Sequence, residues 1–161
     1  MSLTTARVFG IIATVLFALA FLFVLLVIPF QEQIKMLYTQ DPEVIRFHSV
    51  PVGSIILSLL ELLVAGVYLI LILALKPTKA GSIAVVIVFA ALILLNGVLI
   101  SPAISLISQA SVNAYGVRAA ASNSALNGFA SAGRGFLSAP AVVLMYLSMG
   151  GYWGKTAVKR I

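Results

Sequence analysis

The sequence predicts an all-α integral membrane protein: a four-helix bundle with an additional extramembrane amphipathic helical segment between helices 3 and 4. Three observations predict it. Of the 161 residues, 62% are hydrophobic and only 9% are charged, against about 25% charged in soluble domains. Four apolar runs come close to or exceed the ~20 residues that a spanning helix needs. The region between the last two runs keeps a helical spacing of its larger side chains.

The first span is read as 8–30, a run from Val8 to Phe30 preceded by a single arginine, Arg7. No small-residue cleavage site follows it, so it reads as a retained span rather than a removed signal. The loop 31–50 carries Glu32, Lys35, Asp41, Glu43 and Arg46. Asp41-Pro42 there suggests a turn or a helix start, and a short surface helix is expected. His48 is the lone histidine and cysteine is absent, so no metal set, disulfide framework or thiol chemistry is expected.

The second span is read as 52–75, between Pro51 and Lys76-Pro77, and the third as 82–107. The fourth, about 135–153, ends near Tyr152 and Trp153, whose amphipathic rings suit a membrane interface. The whole chain forms one domain.

Orientation follows lysine and arginine. With the N-terminus inside, that side holds Arg7, Lys76, Lys79, Lys155, Lys159 and Arg160, and the other holds Lys35, Arg46, Arg118 and Arg134. The bias places both termini in the cytoplasm, in a plasma or bacterial inner membrane. Net charge is +6, but the basic residues stand mostly at span ends. Lipid, not nucleic acid, is therefore the expected partner.

The segment 109–133 is rich in Ala, Ser, Asn and Gly, yet Val112, Tyr115, Ala119, Ser122, Leu126 and Phe129 recur at spacings of three and four. One or two amphipathic helices outside the hydrocarbon are expected, or an extension of spans three and four beyond the membrane, shielding the bundle or making a subunit contact or vestibule. Arg134 falls at the edge of this outer segment, so no basic residue is expected at the depth of the second span's centre.

The candidate site lies on the second span. Ser54, Ser58, Glu61, Ala65 and Tyr68 are spaced 4, 3, 4 and 3, one polar or small stripe on a helix that is otherwise Leu, Ile and Val. A carboxylate at mid-helix costs ~2.5–3.5 kcal/mol even on the lenient insertion scale, so the stripe faces protein or water. Asn96 stands 14 residues from Ser82, as Glu61 stands 14 from Leu75. Each is then ~21 Å from the connecting turn, and a Glu61–Asn96 hydrogen bond is expected. Desolvation disfavours the charged form, so Glu61 reads as a neutral donor. Helix-packing positions are Gly10 and Thr14 on the first span, with Ala6 and Ala18, and Gly97 and Ser101 on the third. Pro102 and Pro140 are potential kinks.

Two functions fit this pattern, the first being the leading expectation and the second its alternative. One is a homo-oligomeric channel or transporter subunit with Glu61, Asn96, Tyr68, Ser54 and Ser58 along a polar path. The other is a non-catalytic membrane scaffold or accessory subunit of a larger membrane complex. In the first, water stands beside Glu61; in the second, the contact is dry. No convergent nucleophile and base, metal set or cofactor motif is present in the sequence, so neither enzymatic activity nor a cofactor is expected.

Overall fold

The structure is a computed structural model and describes residues 1–74, 79–95, 98 and 100–158. Its regular elements are all helical: α1 (Leu3–Val27), α2 (Gln31–Met36), α3 (Pro42–Arg46), α4 (Val52–Ala74), α5 (Lys79–Leu94) and α6 (Ile100–Val158). Three helical stretches among the described residues are long and apolar enough to cross a membrane: Leu3–Val27, Val52–Ala74 and Gly116–Tyr152. The expected first and second spans correspond to α1 and α4. The expected third, 82–107, is divided between α5 and the start of α6.

Local chemistry sets the boundaries. Ser2 caps α1 by accepting the Thr5 N–H at 3.1 Å. Its C-terminal cap is Ile28, immediately before Pro29, which has no N–H to continue a ladder. Asp41 caps α3 by accepting the Glu43 N–H at 2.9 Å, with Pro42 in the first turn. Gly116 (φ 83°) breaks α6 in a backbone conformation that only glycine adopts at little cost.

The core is a seam of α1, α4 and the arm of α6 that follows Gly116, with Val85 and Val88 of α5 packed into the same cluster. On α1 the buried residues are Ala6, Gly10, Ala13, Phe17, Ala20, Val24 and Val27, alternating by four and three. That is the period of a helix packing along its length, and four of the seven are Ala or Gly, so the backbones come close. Thr14 lies beside the seam and donates to its own Gly10 carbonyl at 2.9 Å. The opposite face of α4 exposes Ile56, Leu59, Leu63, Val67, Ile70 and Leu73, a surface suited to hydrocarbon.

Cross-helix contacts fix the directions. At one end Ser148 donates to the Ala6 carbonyl, and Arg7 Nε donates to the Ile72 carbonyl at 3.1 Å. At the other end Val24 and Val27 pack with Leu126 and Ala130, and the rings of Phe23 and Phe129 stack at 5.9 Å. Hence α1 runs antiparallel to both α4 and the α6 arm. The N-terminal residues and the C-terminal end of α6 lie at the same end of the bundle.

After Gly116 the helix runs unbroken through the rest of the 109–133 segment and the span expected from 135. The small residues that suggest a linker serve close packing instead. A Cβ on Gly133 would come within 2.1 Å of the Phe23 ring, so that ring occupies the space beside the glycine. Pro140 also lies within the continuous helix, and Gly116 is the one non-helical position in α6. At ~1.5 Å per residue, the 37 residues of Gly116–Tyr152 exceed a ~30 Å hydrocarbon core. Part of the arm therefore extends beyond it.

Candidate functional site

The α4 stripe is buried throughout: Ser54, Ser58, Glu61, Ala65 and Tyr68 are each at most 1% exposed. It faces protein, as its cost in lipid requires. Three of its four polar side chains reach across to the α6 arm, each two turns beyond the last along α4. Ser54 Oγ and Ser131 Oγ are 3.0 Å apart. Arg134 Nη1 donates to Glu61 Oε1 at 2.8 Å. Tyr68 Oη and Ser148 Oγ are 2.7 Å apart. Ser148 commits its proton to the Ala6 carbonyl, so Tyr68 is the donor of that pair and three helices meet in one chain of bonds. Ser58 donates within its own helix, to the Ser54 carbonyl at 2.7 Å.

The Glu61–Arg134 pair overturns the expectation that no basic residue stands at the depth of Glu61. The guanidinium supplies a charged partner, so the carboxyl is not an isolated group made neutral by burial alone. Its side chain is 1% exposed and that of Arg134 is 14% exposed. A signal was available in the sequence. The α6 stripe through Ala119, Ser122 and Leu126, carried on in steps of four through Ala130, reaches Arg134. Ending the helix at Gly133 hid it. Ser131 and Ser148 were missed for the same reason, since neither has meaning until the register against α4 is known.

Asn96 and Gly97 lie outside the described residues, and the expected Glu61–Asn96 bond lies outside them too. Ser101 stands in the first turn of α6. Gly10 is a true close-packing position: a Cβ there would lie 3.2 Å from Ser148 Oγ and 3.3 Å from the Tyr68 ring.

A second polar cluster closes the end of the bundle near α2 and α3. Gln31 Oε1 accepts from Lys35 Nζ at 3.0 Å and from the Ser49 N–H at 2.8 Å. Its amide nitrogen donates to the Ile28 carbonyl at 3.2 Å and lies 2.9 Å from His48 Nδ1. That orientation of the amide makes His48 Nδ1 an acceptor, with the ring proton on Nε2. Lys35 Nζ and Ser122 Oγ both donate to the Phe47 carbonyl, and Ser122 also bonds Ser49 Oγ. The expected surface helix is thus two short helices, with Gln31 and Lys35 buried. Burial pushes the Lys35 ammonium below its ordinary value, partly offset by Glu32. At the rim Arg118 pairs with Asp41 at 3.7 Å and with Glu43. Among the described residues no cluster of His, Cys, Asp and Glu could hold a metal ion.

No protein-family model matches the chain, and searches of curated proteins and of solved structures return no match.

Proposed function

We propose that this protein is a non-catalytic integral membrane scaffold or accessory subunit whose polar stripe fastens its own helices. One observation carries the reading: Ser54, Glu61 and Tyr68 each spend their side chain on a partner in the α6 arm. Polar side chains used this way hold helices in register inside lipid. What is then offered to partners is the apolar outer surface of α1 and α4 and the polar cap of α2 and α3. Self-association through the membrane belongs to this reading, as does a topology with both termini cytoplasmic. Because the chain lacks cysteine, a single Ser2→Cys substitution labelled from either side of sealed vesicles tests the topology directly.

A second reading, a channel or transporter subunit, is favoured by one specific observation. Glu61 Oε2 and Arg134 Nε are buried without hydrogen-bond partners among the described residues, and ionisable groups within a membrane commonly mark ion or proton pathways. Reconstitution into vesicles carrying pH-sensitive and cation-sensitive dyes separates the two. The scaffold reading expects flux no greater than that of empty vesicles. Flux that Glu61→Gln abolishes would replace it with the transport reading.

A further inference from the structure

Helix α2 is inside out for a helix in water. Its polar side chains Gln31 and Lys35 are buried, while Phe30, Met36, Leu37 and Tyr38, at its ends, are each at least 57% exposed. A cluster of large apolar and aromatic side chains left open in this way is costly against water. Against lipid it is ordinary.

The depth of α2 follows from α1. Arg7 is the last charged residue before the first apolar run, and Glu32 is the first after it. Counted from Val8 at ~1.5 Å per residue, a ~30 Å hydrocarbon core ends near Val27. Helix α2 stands at that level. Ile34 packs in one cluster with Val24 and Val27 of α1 and with Leu126 and Ala130 of α6, and the Gln31 amide donates to the Ile28 carbonyl at 3.2 Å. The exposed residues are therefore at the boundary between acyl chains and headgroups. They also continue a surface suited to hydrocarbon: Leu22 and Leu26 are exposed on α1, and Phe30 follows at the same step of four. Leu37 comes seven residues after Phe30, a spacing that returns to the same side of a helix.

We infer that α2 and the turn after it form an interfacial anchor, with Phe30, Met36, Leu37 and Tyr38 immersed in the lipid boundary layer at the end of the bundle away from the termini. Side chains placed in this way enter the boundary by about 5–10 Å, and the Tyr38 ring keeps its hydroxyl among the headgroups. The other exposed positions of α2, Glu32 and Gln33, are polar and stay with headgroups and water. The anchor sets how deep the bundle sits. It also withdraws this flank of the cap from soluble partners and leaves them the rim of Asp41, Glu43 and Arg118. The inference rests on the chain spanning a membrane, and on neither of the two functions above.

The test is depth-dependent quenching in the full chain. The single tryptophan is removed by Trp153→Phe, and Leu37→Trp, Tyr38→Trp or Leu63→Trp is added in turn. Leu63 is an exposed position at the centre of α4 and is the reference for depth. Each chain is placed in phosphatidylcholine vesicles whose acyl chains carry bromine either near the headgroup or near the chain end. The Leu37→Trp and Tyr38→Trp chains should lose more emission to the shallow bromine than to the deep one, and the Leu63→Trp chain should show the reverse. Equal or weaker loss to the shallow bromine in the first two would overturn the anchor. Iodide in the water then tells what covers the flank: strong quenching means solvent, and none means a second copy or another protein. Failure of the membrane reading looks different, because the Leu63→Trp chain would then respond to neither bromine, and the anchor would fall with it. Positions 37 and 38 are exposed, so neither substitution enters the core, and each tests the anchor without the other.

Discussion

The Phe23 ring lies over Gly133, so that a Cβ at that glycine would come 2.1 Å from Cε1 and 2.3 Å from Cζ. The ring cannot simply turn away, because it also stacks on Phe129. Overpacking a fitted core costs about 1–3 kcal/mol. Gly133→Ala should therefore lower the stability in detergent by an amount in that range, seen as a lower thermal midpoint. Phe23→Leu in the same chain should recover part of the loss. Equal damage from Gly133→Ala with and without Phe23→Leu would mean that the ring is not the obstacle.

The buried ion pair predicts a strongly non-additive mutant cycle. Removing one partner strands a buried charge and costs about 3–5 kcal/mol, whereas replacing both with apolar residues of similar size is often close to neutral. Glu61→Leu and Arg134→Met should each destabilise severely. The double variant should return near the native midpoint. Losses that merely add would show that the two side chains do not depend on each other.

The Tyr68–Ser148–Ala6 chain predicts an asymmetry. Tyr68→Phe removes one donor and leaves Ser148 still bonded to the Ala6 carbonyl, a loss of about 0.5–1.5 kcal/mol. Ser148→Ala leaves the Tyr68 hydroxyl and the Ala6 carbonyl each without Ser148, and an orphaned buried polar group costs about 1–3 kcal/mol. Unfolding measurements should rank Ser148→Ala as the worse change. The reverse ranking would contradict the assigned direction of donation.

Lys35 predicts a pH dependence at the alkaline end. Burial lowers its value in the fold below the ordinary 10.5, against a smaller upward pull from Glu32. Below the folded value the ammonium is charged in both states, and the burial cost is fully present. As pH rises from the folded value towards 10.5, the unfolded chain binds more protons than the fold, so this residue's contribution to stability increases. The difference in midpoint between native protein and Lys35→Met should change in that direction over that window. A difference independent of pH up to about 10.5 would show that Lys35 is no more desolvated in the fold than in the unfolded chain.

Much of the stripe on α4 was legible in advance. The four-three spacing of Ser54, Ser58, Glu61, Ala65 and Tyr68 required a buried face, because polar groups cannot stand in lipid unpaired. The partners were not legible. Arg134 looked like an outer residue because it falls between the outer segment, read as 109–133, and a fourth span read as beginning at about 135. Local propensity says nothing about the Phe23 ring that fills the space beside Gly133. Gln31 and Lys35 looked like surface residues because their burial depends on a carbonyl, Phe47, and an amide, Ser49, from a later part of the chain.

By itself the sequence determined the all-helical architecture, the positions of α1 and α4 as helices apolar enough to cross a membrane, and the inward face of α4; of the ridge expected on α1, Ala6 and Gly10 are buried and Thr14 and Ala18 lie beside the seam. These follow from composition and period, which act within a single segment. Tertiary structure decided that α6 runs unbroken past Gly133, that Glu61 is held by Arg134, and that Tyr68 and Ser148 tie two helices to a third. Those outcomes depend on the register between segments more than seventy residues apart. Register is set where side chains of complementary size and charge meet in space, and one helix alone does not contain that information.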